Sequence, residues 1–248
     1  MQLTVLGCSA AYPGPGGACS GYLVQDGQTN LLIDCGTGVL SNFQKAGSLQ
    51  KIDSIIISHF HADHFFDLIP YRYALTRRIY KDVHPALYLP PGGRRTLLKA
   101  VSSFNKSTTF FSDYFQIEEY DPVASITIGK LKVEFAPVKH YLPTYAVSIS
   151  GKKKLVYSAD SGICEELADI ARGADLFLCE ATRYADGDGE WGHLRASEAV
   201  KLAKDANAQR LILTHFWPDH GYSKELELAK RSFGNGMEIA TILSAYAI

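Results

Sequence analysis

His59-Phe60-His61-Ala62-Asp63-His64 places three imidazoles and one carboxylate within six residues, directly after the apolar run Ile55-Ile56-Ile57. Neutral imidazole and carboxylate are the ordinary protein ligands of Zn²⁺ and similar borderline ions. Side chains at alternate positions of an extended segment point the same way, so His59 and His61 can grip one ion. Asp63 and His64 then turn away and can grip a second. A solvated polar loop is the competing reading, and so dense a ligand pattern weighs against it.

Other apolar runs end in the same kind of residue. Leu131 to Val138 leads to Lys139 and His140, and Leu155-Val156-Tyr157 leads through Ser158-Ala159 to Asp160. Leu176-Phe177-Leu178 leads to Cys179 and Glu180, and Leu211-Ile212-Leu213 leads through Thr214 to His215. With His59, these endings predict strand ends that converge on one site, because layered α/β folds place their chemistry on the loops at the ends of rigid strands. Asp34, between Leu31-Leu32-Ile33 and Cys35-Gly36, reads as a carboxylate that orients a metal-bound histidine and not as a ligand. His84 and His220 read as surface histidines, with lining of the pocket as the alternative for His220.

The set His59-x-His61-x-Asp63-His64, His140, Asp160 and His215, in that order, resembles the metallo-β-lactamase fold superfamily. Leu6-Gly7-Cys8-Ser9-Ala10-Ala11, Asp34-Cys35-Gly36, Glu180-Ala181-Thr182, Gly192-His193 and Leu213-Thr214-His215-Phe216 narrow the resemblance to the ribonuclease Z branch. The pieces span nearly the whole chain. Cys179 and Leu194-Arg195 depart from the branch, which has His before this Glu and Ser-Thr after this His.

The resemblance implies an α+β fold, a four-layer αββα sandwich with the site at one edge. It implies two divalent metal ions, with zinc expected and manganese or iron as alternatives. His59, His61 and His140 would hold the first, Asp63, His64 and His215 the second. Asp160 would bridge them, as suits a carboxylate with two oxygens. A metal-bridging hydroxide would be the nucleophile. Asp63, Glu180 and His193 form the implied catalytic set. Glu180 orients the His193 imidazole, which protonates the leaving oxygen.

Hydrophobic periodicity and turn residues predict the elements that position these groups. Strands are expected at Leu3 to Leu6, Gly21 to Val24, Leu31 to Ile33, Ser54 to Ser58, Phe115 to Tyr120, Ile126 to Ile128, Leu131 to Val138, Tyr145 to Ile149 and Leu155 to Ser158. Helices are expected at Val39 to Ala46, Arg94 to Phe104, Glu165 to Ala171, Ala196 to Ala206 and Lys224 to Phe233, with helical character over Asp67 to Tyr80. Periodicity alone licenses only a layered α/β or α+β fold. No repeat, low-complexity tract or linker divides the chain, so one domain is expected over 1–248.

At 248 residues and 46% apolar content the chain can bury a large core, and 21% charged residues fit a soluble globular protein. A net charge of −1 makes no electrostatic case for a long nucleic acid. Five cysteines, odd in number and without a CxxC pair, read as reduced thiols in the cytoplasm. The first 25 residues lack a basic start, and Pro13-Gly14-Pro15-Gly16-Gly17 interrupts them, so no signal peptide is expected. No apolar run approaches the ~20 residues of a membrane span.

The expected function is therefore a metal-dependent phosphodiesterase acting on small, cyclic or nucleotide phosphodiesters. Ribonuclease Z enzymes carry a tRNA-gripping arm between the positions of His140 and Asp160. Only nineteen residues separate them here, so tRNA is not an expected partner. An ester, thioester or lactone hydrolase on the same site remains an alternative, as does a non-catalytic metal-stabilised binding or sensing protein. Gly14 to Gly17 reads as a loop beside the site. Tyr71-Arg72-Tyr73 and Arg77 to Lys81 could grip a nucleotide, or belong to an amphipathic helix or a subunit contact. The branch's habit favours the contact, and a homodimer with Leu68 to Lys81 near its interface is expected.

Overall fold

The computed structural model describes residues 1–184 and 192–248. Its strands are β1 (Gln2–Gly7), β2 (Gly21–Asp26), β3 (Thr29–Ile33), β4 (Ser54–Ile56), β5 (Ala86–Leu89), β6 (Gln116–Glu119), β7 (Ile126–Ile128), β8 (Leu131–Val138), β9 (Thr144–Ser150), β10 (Lys154–Tyr157), β11 (Leu176–Glu180), β12 (Leu211–Thr214), β13 (Met237–Ile239) and β14 (Ala245–Ala247). Its α-helices are α1 (Val39–Ala46), α2 (Ala62–Phe65), α3 (Leu68–Leu75), α4 (Gly93–Val101), α5 (Glu165–Ala171), α6 (Ala196–Asp205) and α7 (Ser223–Phe233).

The strands form two seven-stranded sheets, ordered β14-β1-β2-β3-β4-β5-β6 and β13-β12-β11-β10-β9-β8-β7. In each sheet one half is antiparallel and the other parallel. Parallel strands are covered on both faces and so read as continuous apolar runs. The run Ile55-Ile56-Ile57 shows why. Ile56 enters the core between the sheets, while Ile55 and Ile57 enter the cluster beneath the helices of the first sheet. On β8 the period is two, with Leu131, Val133 and Phe135 buried and Lys132 exposed.

Val5, Ile33, Ile56, Val147, Leu155, Leu178 and Ile212 meet in the central layer. Outside it, α1, α3 and α4 cover the first sheet, and α5, α6 and α7 cover the second. The sandwich is thus the four-layer αββα arrangement expected. Burying one such aliphatic side chain is worth roughly 1.5–3 kcal/mol. Among the described residues no helix is long and apolar enough to cross a membrane.

Several boundaries differ from the sequence expectation. The strand expected to reach Ser58 ends at Ile56, because the Ser58 N–H donates to Asp34 Oδ1 at 2.8 Å instead of to a neighbouring strand. The helical stretch Asp67 to Tyr80 divides into α3 and a single 3₁₀ turn, Arg78–Tyr80. Pro70 is tolerated because it lies in the first turn of α3, where N–H groups have no intrahelical partner. Strands β5, β13 and β14 were not anticipated. They are three or four residues long and owe their state to pairing with β4, β6, β12 and β1.

Candidate metal centre

The C-terminal ends of strands from both sheets meet at one edge of the sandwich. β3 leads to Asp34, β4 to His59, β8 to His140, β10 to Asp160, β11 to Glu180 and β12 to His215. Asp34 (φ 57°), Ala159 (φ 52°), His215 (φ 62°) and Ala11 (φ 54°) adopt left-handed backbone there. Such residues cost of order 1–3 kcal/mol each and persist where their surroundings over-determine them. Here the surroundings are the site itself. Gly36 is required by close approach, since a Cβ would stand 1.9 Å from the Asp63 carbonyl oxygen.

The potential ligand atoms form three groups. His59, His61, His140 and Asp160 make one, Asp63, His64 and His215 a second, and Asp160, His193 and His215 a third that overlaps both, each with its ligand atoms within 4.8 Å of one another. Asp160 faces the first two. Its Oδ2 lies 3.6 Å from His59 Nε2 and 3.8 Å from His140 Nε2, while Oδ1 lies 3.3 Å from His64 Nε2. His215 Nε2 is 3.2 Å from Asp63 Oδ2. The turn that separates His59 and His61 from Asp63 and His64 is α2, a single helical turn.

Four imidazoles are steered from behind through Nδ1. His64 Nδ1 donates to Asp34 Oδ2 at 2.7 Å, and His59 Nδ1 to Ser58 Oγ at 3.0 Å. His140 Nδ1 donates to the Gly192 carbonyl and His215 Nδ1 to Thr182 Oγ1, both at 2.8 Å. These bonds fix the tautomers and leave the Nε2 lone pairs facing inward. Asp34 is the hub. It is fully buried and also accepts from the Ser58 N–H and hydroxyl and from the Tyr157 hydroxyl.

The cluster suits cations. His61 Nδ1 lies 3.2 Å from His59 Nε2 and 3.0 Å from His140 Nε2, so three lone-pair nitrogens crowd together with no proton for each contact. Buried His64 Nε2 and Asp160 Oδ1 lie 3.3 Å apart and have no other hydrogen-bond partner. Orphaned polar atoms are expensive in a native interior. A bound divalent ion removes that cost, and nitrogen with carboxylate oxygen is a suitable donor set. Burial pushes the His59, His61 and His140 imidazoles down, towards the neutral ligand form. Burial also opposes charge on His64, but Asp160, Asp34 and Asp63 outweigh it and raise that imidazole well above its usual range. Burial raises the Asp160 carboxyl, yet His215 and His64 bring it down well below the usual carboxylate range.

Beside this cluster, His193 Nδ1 lies 2.8 Å from Glu180 Oε1. The Glu180 carboxylate is fully buried and accepts the Ser161 and Thr182 N–H groups, each at 2.9 Å. The His193 ring sits 4.9 Å from that of His140 and 5.9 Å from that of His215. A cavity of about 370 Å³ opens over His61, Asp63, Asp160, His193 and His215, with Tyr141, Thr182 and Trp217 among its walls.

All nine site residues expected from the sequence are therefore brought together. Asp34 contacts His64, as an orienting carboxylate would. His84 and His220 are exposed and line no part of the cavity, and His220 stacks on Tyr184. The Leu68 to Lys81 segment does not line it either. Tyr71 is buried against the Leu49 carbonyl, and Arg72 is held by the Phe110 carbonyl and ring. Sequence reasoning assigned no role to Ser58, Thr182, Tyr141 or Trp217. Ser58 and Thr182 could have been suspected from their places next to His59 and two residues beyond Glu180.

Comparison with known proteins follows the same lines. The family model described as "Beta-lactamase superfamily domain" matches residues 29–216. The probable metallo-hydrolase YhfI of Bacillus subtilis is 33% identical over 240 residues, covering 95% of each chain. Its crystal structure superposes with a TM-score of 0.86 at 29% identity, over 99% of both chains. A ribonuclease Z from Ignicoccus hospitalis is 27% identical over 94% of this chain and 93% of its own. A diphosphatase from the PhnP family shares the fold at a TM-score of 0.78 and 20% identity, covering 100% of this chain and 97% of its own. The chain belongs to the beta-lactamase superfamily domain family, among metallo-hydrolases of the short-form ribonuclease Z-like branch.

Proposed function

We propose that the chain is a dinuclear metal-dependent phosphodiesterase for small, cyclic or nucleotide phosphodiesters. The observation that carries this reading is the buried Glu180 carboxylate holding His193 beside the ligand cluster. A phosphodiester with a poor leaving group needs a proton donor at the departing oxygen. With Nδ1 held by Glu180, His193 Nε2 is the atom that would deliver it. His59, His61 and His140 would hold one ion and Asp63, His64 and His215 the other, with Asp160 between them. Zinc suits these donors, with manganese or iron as alternatives. Two such ions, when bound, supply a nucleophile at neutral pH and offset charge at phosphorus.

A small substrate is favoured by the short connection between His140 and Asp160, which is occupied by β9, a turn and β10. A connection of nineteen residues is too short for a tRNA-gripping arm at this position. Two similar proteins, a ribonuclease Z and a diphosphatase that shares the fold, are named for cleavage at phosphorus. Exposed Phe66, Tyr73 and Ile79, around α3, support the homodimer, and the cysteine pattern supports the cytoplasm.

His193→Ala tests the reading. Its kcat/KM should fall about 10²–10⁴-fold on phosphodiesters with poor leaving groups and less on bis-nitrophenyl phosphate, whose leaving group needs little help. Glu180→Gln should follow more weakly. Metal content should hold in both. Equal losses across a leaving-group series, or loss of metal, would bring the ester-hydrolase alternative forward.

A further inference from the structure

The ligands and the Glu180–His193 pair do not account for the aromatic side of the cavity. Trp217 is partly buried and lines the cavity beside Asp63 and His215. Tyr12, 43% exposed, sets its ring against the indole at a centroid distance of 6.0 Å and a tilt of 48°. Ala10 and Ala11 complete this side, and their small side chains leave space next to the indole. Phosphoryl transfer itself has no use for an aromatic ring there.

Trp217 is mounted on the loop that carries His215, and Tyr12 on a loop tied to Asp63. The Ala11 N–H donates to Asp63 Oδ2 at 2.8 Å, which ties down the residue before Tyr12. The Ala10 N–H donates to the Phe216 carbonyl at 2.9 Å, joining that loop to the one bearing Trp217. The Trp217 N–H donates to the Tyr222 hydroxyl at 3.3 Å, and that hydroxyl donates to the Thr182 carbonyl at 2.6 Å. A surface built in this way is preorganised, so a ligand that stacks on it loses little to ordering. The cavity volume also falls within the range of roughly 300–1,000 Å³ usual for small-molecule sites.

His193, with Tyr141 and His140 in ring contact around it, takes the leaving oxygen. The substituent retained on phosphorus is then the one left to reach Trp217. We infer that Trp217, backed by Tyr12, is a stacking platform for a nucleobase on the retained side, and that the substrate is a nucleoside phosphodiester. The inference rests on the phosphodiesterase reading above. Stacking uses the π-face that every base has, so preference among bases is slight.

The test uses the metal-loaded full chain. Thymidine 5′-(4-nitrophenyl phosphate) and methyl 4-nitrophenyl phosphate share a leaving group and differ in the retained one. Trp217→Ala should lower the thymidyl-to-methyl ratio of kcat/KM about tenfold, through KM, and Trp217→Phe should restore most of it. An unchanged ratio, or equal losses on both esters, overturns the platform. A chain that hydrolyses neither ester sinks the phosphodiesterase reading, and binding then decides the platform alone. With Trp191→Phe, Trp217 is the sole tryptophan. Thymidine 5′-monophosphate should quench its fluorescence saturably, and ribose 5-phosphate should not. Absent quenching, or equal quenching by both, overturns the inference independently of catalysis.

Discussion

The two halves of the ligand cluster are built in different ways. His59, His61, Asp63 and His64 come from one short segment at the end of β4, in the first sheet. His140, Asp160 and His215 come from three separate strand ends in the second sheet. Behind the local half stands the Asp34 carboxylate, which collects four donors at 2.7–3.1 Å. Behind the long-range half stand neutral partners, the Gly192 carbonyl for His140 and the Thr182 hydroxyl for His215. A charged hub is a stronger anchor than a neutral oxygen. The local half is thus anchored on one charged hub, and the long-range half on separate neutral oxygens.

Asp160→Ala should have the largest effect, because this residue faces both halves. Metal content measured by elemental analysis should fall from about two ions per chain to one or fewer, with hydrolysis lost alongside. Retention of two ions would break the comparison at its centre, and fewer than one ion in the parent chain after loading would sink the ligand proposal.

The anchors come next. Asp34→Ala should weaken metal affinity roughly 10–100-fold, and Thr182→Val should fall at the lower end of that range. Chelator competition on both variants ranks them. A larger loss for Thr182→Val would invert the contrast between charged and neutral anchors.

Acidity probes His64, in the local half. Three carboxylates raise His64, so in the metal-depleted protein it carries a proton that an incoming ion must displace. Apparent metal affinity should therefore rise between about pH 6 and pH 8, with proton release visible by calorimetry in buffers of different ionisation heat. A flat profile would show that His64 is already neutral.

The smallest effect on chemistry is expected from Ile79→Glu. Ile79 is 70% exposed, in the 3₁₀ turn that follows α3. Light scattering should show the parent chain as a dimer and the variant shifted towards the 27.3 kDa monomer. A parent that is strictly monomeric at micromolar concentrations removes the dimer.

The sequence carried the fold class and most of its elements. The bounds of α1, α5, β7 and β8 agree with it to the residue, because amphipathic period and turn residues mark them locally. β5, β13 and β14 escaped because strand state in so short a run depends on the neighbours it pairs with. The single turn of α2 escaped because nothing in Ala62-Asp63-His64-Phe65 outweighs its metal-ligand pattern.

For the site, the sequence by itself determined which side chains have ligand chemistry and that strand ends carry them, since both are properties of neighbouring residues. Only the tertiary structure decided which nitrogens face inward and that Trp217 joins the cavity wall. Serine, threonine, tryptophan and a glycine carbonyl are common residues and groups with many uses. What makes Ser58, Thr182, Trp217 and Gly192 matter is a hydrogen bond or ring contact a few ångströms long, set by how two sheets pack, and no local pattern encodes that distance.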